Sequence, residues 1–267
     1  MTATIEPACG PGTVWDPVNE ECIIAIPADL NYDGCVSVND LLVLLAVHGT
    51  CPPIPFSGPC QGLDHVTYHG YDYGIVAIGD QCWFAENLRA QTYTNGEGIL
   101  DAQPTEVWMT ANEEAQGAFC FYDDGTTTLP AAGALYNWHA TGDPRGLCPT
   151  GWRVPQDEDF QDLEASAGMP VDMLDAWGWR GLEEGVASAL KDSLTWDGNN
   201  SSGFTALPSG YRNAEGEFYN PQNGYLWTTS SYGNGGLLVR HFALGYPSIY
   251  RGSYSVERGF SVRCIKD

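Results

Sequence analysis

Gly74-Ile75-Val76-Ala77-Ile78-Gly79-Asp80-Gln81-Cys82-Trp83-Phe84 holds two short β-prone runs separated by a polar break at Gly79 and Asp80. Runs of that length, bounded by Gly, Asn and Asp, read as strands. The same texture continues from Asp64 to the C-terminus, with further strands at Ala118-Phe119-Cys120-Phe121-Tyr122, Tyr225-Leu226-Trp227-Thr228-Thr229 and Phe260-Ser261-Val262-Arg263-Cys264. Asp157 to Ala167 reads as a helix because Phe160 and Leu163 fall three apart, and a second helix is expected over Leu182 to Lys191. The fold class that follows is α+β, with short strands, two helices and long irregular loops. The 32 Gly and 17 Pro among 267 residues fit many fixed loops rather than a helical bundle.

Charge and composition remove several function classes. Eleven Lys and Arg against 34 Asp and Glu give a formal charge of −23. Phosphate backbones demand clustered cations, so a nucleic-acid binder is excluded, and an anionic membrane surface is disfavoured. With 43% apolar and 12% aromatic residues the chain can build a core, so it is not disordered. The longest apolar run, Leu41 to Val47, is too short to span a bilayer. Nine cysteines form no Cys-x-x-Cys, and the histidines at 48, 65, 69, 139 and 241 lack ligand spacing, which argues against zinc. Single cysteines spread between loops fit disulfides in an oxidising compartment, so the expected location is extracellular or the cell surface. Met1 to Pro7 lacks the basic and apolar regions of a signal peptide, so a secreted protein is expected here as a mature or trimmed chain.

The first 65 residues read as a small stapled head and a connector. Cys9 and Cys22 can close a turn-rich loop within residues 1–28. Ile23-Ile24-Ala25-Ile26, stopped by Pro27, is either local core or an assembly strand offered to a neighbouring subunit. From Asp29 to Asp40, oxygen-bearing side chains fall at loop positions 1, 3, 5, 9 and 12 (Asp29, Asn31, Asp33, Ser37 and Asp40). Gly34 occupies position 6 and the Cys35 carbonyl position 7, a spacing that wraps oxygens around one Ca²⁺ ion. The alternative is an Asx-rich turn without metal. The segment resembles the calcium loop of dockerin-type repeats, which implies a following helix, here Asn39 to His48. Dockerins carry two repeats and this chain shows one, so calcium binding alone is carried over. Cys35 and Cys51 bracket residues 29–51, so a disulfide can tie loop and helix, and a Pro-rich connector occupies 52–65.

The remaining residues, 66–267, carry five ordered blocks. They are Ile78-Gly79-Asp80-Gln81-Cys82-Trp83-Phe84-Ala85-Glu86-Asn87-Leu88, Gly133-Ala134-Leu135-Tyr136-Asn137-Trp138, Gly146-Leu147-Cys148-Pro149-Thr150-Gly151-Trp152-Arg153-Val154-Pro155, Ser202-Gly203-Phe204-Thr205-Ala206-Leu207-Pro208-Ser209-Gly210-Tyr211-Arg212 and Gly259-Phe260-Ser261-Val262-Arg263-Cys264. In this order they resemble the Fibrobacter succinogenes major paralogous domain family. The resemblance implies an extracellular, often surface-attached bacterial protein with a C-type-lectin-like fold akin to the formylglycine-generating enzyme scaffold. It implies no general activity, and it pairs Cys148 with Cys264. We add Cys60 with Cys82, which leaves Cys120 as the odd thiol.

Catalysis finds no constellation in the sequence. Gly-x-Ser-x-Gly does not occur, and Asp157-Glu158-Asp159 and Glu183-Glu184 read as solvated helix faces. Formylglycine-generating chemistry needs a reactive cysteine pair with copper, whereas Cys264 is read as half of a structural disulfide. Lectin-type calcium signatures such as Glu-Pro-Asn are missing, yet Trp177, Trp179, Trp196 and Tyr225 can line a sugar-binding surface. Asn199 and Asn200 both satisfy Asn-x-Ser, an acceptor pattern for a glycan. The expected function is a non-catalytic structural subunit that self-assembles into a surface filament or matrix stabilised by calcium and disulfides. The alternative is a carbohydrate-binding adhesion module.

Overall fold

The computed structural model describes residues 58–122, 132–233 and 235–267 in full, together with the backbones of Thr13–Asp16 and Glu21–Ile24. The chain divides into two compact units, Met1–Phe56 and Ser57–Asp267, with the boundary inside the stretch read as connector. In the first unit β1 (Thr13–Asp16) and β2 (Glu21–Ile24) pair antiparallel, Val14 opposite Ile23.

The second unit is mixed helix and sheet, mostly sheet. A five-stranded sheet takes β3 (His65–Tyr68), β4 (Tyr71–Ile78), β5 (Gln81–Phe84), β9 (Trp152–Arg153) and β17 (Ile265–Lys266), in the order β3-β4-β5-β17-β9. The eight-stranded sheet contains β6 (Leu100–Asp101), β7 (Ala118–Cys120), β8 (Leu135–Tyr136), β10 (Gly178–Arg180), β13 (Gly224–Tyr232), β14 (Gly236–Phe242), β15 (Ile249–Tyr254) and β16 (Phe260–Ser261). Its order is β10-β15-β14-β13-β16-β8-β7-β6, so the strands nearest one edge come from the last third of the chain. A small hairpin of β11 (Tyr211–Arg212) and β12 (Phe218–Tyr219) completes the strands described.

Local chemistry accounts for several of these elements. The β4–β5 hairpin turns through Gly79 and Asp80, with Ile78 opposite Gln81; Gly79 has φ +57°, and a Cβ there would meet the Ser166 hydroxyl at 2.4 Å. Only glycine fits that two-residue turn without strain.

Four α-helices are described rather than two: α1 (Thr105–Glu113), α2 (Trp138–Thr141), α3 (Asp157–Ser166) and α4 (Val186–Leu190). The helix expected from Leu182 begins only at Val186, because Gly185 is left-handed at φ +67° and holds the chain out of helix before it. The first two helices lack a long apolar period. Pro104 precedes α1, and the Asn137 side chain caps α2 by accepting from Ala140 N.

Packing separates the faces of the eight-stranded sheet. On one side Tyr225, Trp227, Val239 and Phe260 join Tyr73, Phe84 and Trp152 of the five-stranded sheet in the main core. On the other, Leu226, Phe242 and Ile249 pack with Phe160, Leu163, Val186 and Leu190 of α3 and α4. Alternate residues of β13 thus serve opposite faces, as the pleat requires. Two disulfides close the unit, Cys60–Cys82 and Cys148–Cys264, the second across a sequence separation of 116. Cys120 is buried in β7.

Candidate functional site

The strand register sets a row of rings across four adjacent strands. Trp179 of β10 faces Tyr250 of β15, Tyr250 faces His241 of β14, and His241 faces Tyr225 of β13. Directly opposed residues share a face, so all four lie on one side of the sheet. Trp179 meets His241 at 5.1 Å and Tyr250 at 5.3 Å between centroids, and His241 stacks on Tyr225 at 4.2 Å. Tyr246, from the turn after β14, stacks on Trp179 at 4.9 Å. At the other end Tyr211 meets Tyr225 at 5.0 Å and stacks on Tyr219 at 5.7 Å. The result is one unbroken run of rings from Tyr246 to Tyr219.

Exposure shows which rings a ligand can reach. Trp179, Tyr246 and Tyr219 are 41%, 51% and 42% exposed, whereas Tyr225 is buried at 3% and forms the floor. Polar groups border the rings. Asn220 Nδ2 donates to the Tyr225 hydroxyl at 3.1 Å, and Asn223 Nδ2 stands 3.1 Å from His241 Nε2. An amide NH₂ only donates, so His241 Nε2 accepts and the ring proton sits on Nδ1. Burial pushes the His241 imidazolium down to about 4, so the ring is neutral near pH 7. Burial raises Tyr254 to about 12, and the hydrogen bond to Glu217 raises Tyr219. The Arg258 guanidinium lies 5.2 Å from the centroids of both Tyr211 and Tyr254. Neutral rings and amides of this kind stack and hydrogen-bond.

The opposite face of the same strands carries charge. Arg240 Nη1 meets Asp157 Oδ1 at 2.6 Å and its Nε meets Glu164 Oε1 at 2.5 Å. Arg251 Nη2 holds Asp157 Oδ2 at 2.7 Å, and Arg180 Nη1 lies 2.9 Å from Glu164 Oε2. All five residues are buried. Burial by itself would raise the Asp157 carboxyl, but hydrogen bonds from Arg251 and the charge of Arg240 hold it down at about 2. This corrects the reading of Asp157-Glu158-Asp159 as a solvated face. Asp157 is an interior ion and Asp159 pairs with Arg153 at 2.5 Å, while Glu158 remains exposed. Glu183 and Glu184 are exposed, but they stand in a turn rather than on a helix.

Of the aromatic residues singled out from sequence, Trp177 and Trp179 are exposed, and Trp196 and Tyr225 are buried. Trp177 turns away from the row to meet Tyr232 at 4.4 Å and the Arg251 guanidinium at 5.3 Å. His241, Tyr246, Tyr250, Tyr211 and Tyr219 escaped the sequence reading; the available signal was the alternation Tyr250-Gly252-Tyr254 within one strand. Asn199 is exposed, whereas both side-chain atoms of Asn200 are bonded to Thr205, Nδ2 to Oγ1 at 2.9 Å and Oδ1 to the amide at 2.9 Å. Cys22, Ile23 and Ile24 lie in β2, whose backbone alone is described. Cys9, Ile26, the loop residues Asp29, Asn31, Asp33, Cys35, Ser37 and Asp40, the helix 39–48, and Cys51 fall outside the described residues. Among the described residues no cluster of His, Cys, Asp and Glu is arranged to hold a metal ion. No described helix is long and apolar enough to cross a membrane.

The blocks of the sequence that carry the family resemblance lie chiefly beneath this face. Trp83, Phe84, Leu88, Tyr136, Phe204, Phe260 and Val262 are fully buried. Buried Arg263 donates to Asn87 Oδ1 at 2.8 Å and to the carbonyls of Phe204 and Thr205, which joins three blocks. Residues 76–266 match the sequence profile of the Fibrobacter succinogenes major domain. The chain belongs to this family. No curated protein and no solved structure matches it. In this Fibrobacter succinogenes major domain the five sequence blocks build the core, and most of the aromatic run, from Trp179 through His241, Tyr246 and Tyr250 to Tyr219, lies between those blocks but within the matched residues.

Proposed function

We propose that the chain is a non-catalytic extracellular binding module whose aromatic face holds a carbohydrate. The observation that carries this reading is the unbroken run of rings from Tyr246 and Trp179 to Tyr219, exposed at both ends. Pyranose rings present C–H faces that stack on aromatic side chains, while their hydroxyls bond to amides such as Asn220 and Asn223. The C-type-lectin-like scaffold implied by the resemblance belongs to the same proposal. A non-catalytic role is supported by Cys264, which is tied to Cys148, and by His241, which is neutral and engaged with Asn223. Two disulfides support the extracellular assignment. A glycan array followed by titration calorimetry tests the reading. Wild-type binding that falls at least about tenfold in Trp179→Ala supports it, and equal binding by the two proteins refutes it.

A second reading keeps the chain as a self-assembling structural subunit of a surface filament or matrix. Its support is β2, which among the described residues pairs with β1 alone, so the strand carrying Ile23 and Ile24 has a second edge with no described partner. Calcium held by Asp29, Asn31, Asp33, Cys35, Ser37 and Asp40 would brace that unit. Light scattering of the chain with and without Ca²⁺ tests this. Filaments lost on deleting residues 1–28 support assembly, and a monomer under all conditions refutes it.

A further inference from the structure

The charge class of the ligand can be read from where the cations lie. All 11 Lys and Arg belong to Ser57–Asp267, against 27 Asp and Glu, a net of −16; residues 1–56 carry seven carboxylates and no Lys or Arg. Six of the 11, Arg180, Lys191, Arg212, Arg240, Arg251 and Arg263, are buried. Arg89 pairs with Glu86 at 3.0 Å, Arg145 with Asp143 at 2.7 Å and Glu97 at 2.8 Å, and Arg153 with Asp159 at 2.5 Å. Lys266 sits in β17 of the other sheet. Near the aromatic run this leaves Arg258, half-buried between Tyr211 and Tyr254.

Exposed carboxylates, by contrast, crowd the Tyr219 end of the run. Glu217 accepts from the Tyr219 hydroxyl at 2.8 Å and is exposed, with exposed Glu215 two residues before it. At the Trp179 end, Asp197 accepts from the backbone amide of Gly245, next to Tyr246, at 2.6 Å, but its charge is matched by the buried Lys191 ammonium at 2.6 Å, so the uncompensated carboxylates are those of the Tyr219 end. We infer that the aromatic face takes an uncharged glycan and turns acidic glycans away. The inference rests on the carbohydrate reading above and adds the substrate class. A uronic-acid or sulfated chain laid along the rings brings its charges within a Debye length, about 8 Å at physiological salt, of carboxylates that few exposed cations offset. A neutral chain loses nothing to that field, because stacking and hydroxyl hydrogen bonds carry no net charge.

The test presents the full chain to a panel of neutral and acidic oligosaccharides of matched length, at about 20 mM and about 500 mM salt. The expected result is neutral binding that is insensitive to salt, with acidic members at least about tenfold weaker at low salt and the gap narrowing as salt rises. Acidic glycans bound as tightly as neutral ones at low salt, and released by salt, overturn the inference while leaving the face in place. Loss of that acidic binding in Arg258→Gln would then locate an anion subsite. Neutral binding unchanged in Trp179→Ala contradicts the assignment of the face itself. Binding to neither class contradicts the carbohydrate reading and takes this inference with it.

Discussion

The two faces of the eight-stranded sheet are built from alternate residues of the same strands, yet they solve opposite problems. On the α3 side, Arg180, Arg240 and Arg251 meet Asp157 and Glu164 in a network with almost no exposure. On the other side Trp179, Tyr250, His241 and Tyr225 form a neutral row that reaches solvent. Taking ions out of water is costly unless each is matched, so the first face tolerates very little change. Aromatic rings half in water hold their conformation by stacking, and they leave a surface free for another molecule. The charged face is closed, whereas the aromatic face joins the main core through Tyr225 and leaves Trp179, Tyr246 and Tyr219 open, so substitutions at those outer rings should separate stability from affinity.

The largest expected effect comes from breaking the charged face. Arg240→Met leaves Asp157 and Glu164 short of a guanidinium in the interior and should cost about 3–5 kcal/mol in urea or thermal unfolding. Glycan affinity of the fraction that stays folded should be unchanged. A cost below about 1 kcal/mol would mean that the network is replaceable and that the contrast between the faces is overstated.

Acid separates the two faces by pH. His241 has its imidazolium lowered from 6.5 to about 4 by burial, so the folded state resists a proton that the unfolded chain takes up. Its contribution is present above about pH 6.5 and is lost as pH falls through about 4; of the order of 2 kcal/mol is at stake. Asp157, lowered from 3.8 to about 2, gives up its share later, between about pH 4 and 2, and that share is about 2 kcal/mol. Stability curves against pH for wild type and His241→Gln should differ in slope between about pH 4 and 6.5 and run parallel outside that window. Parallel curves throughout would show that His241 is not held neutral.

How much of this was legible in the sequence differs between the faces too. Strands around Ile75, Trp83, Phe119 and Trp227 and the helix at Asp157 followed from apolar runs and period, because local pattern sets local structure. Helix α1 was missed, since its buried face rests on Trp108 and Ala111 alone. Asp157 read as a surface acid because charges at a helix start usually are; its two arginines lie 83 and 94 residues away and give no local signal. The ring run was half visible. Trp179 and Tyr225 stood out by type, but Tyr246, Tyr250 and His241 join them only through the register of β10, β15, β14 and β13. Strand order is a long-range property, and a single sequence does not spell it out.

The smallest effect on stability should still accompany a clear loss of function. Tyr246 is 51% exposed and stacks on Trp179, so Tyr246→Ala should change unfolding free energy by less than about 1 kcal/mol. Its glycan affinity should nevertheless fall several-fold, because stacking area is lost at the open end of the row.

The most direct measurement compares wild type and Trp179→Ala side by side, for melting temperature and for affinity to the neutral glycan that the wild type binds best. The account predicts melting within a few degrees of wild type and affinity reduced at least about tenfold. A variant that melts normally and binds as tightly as wild type would contradict it, because the exposed indole at the open end of the run would then be doing nothing for the ligand.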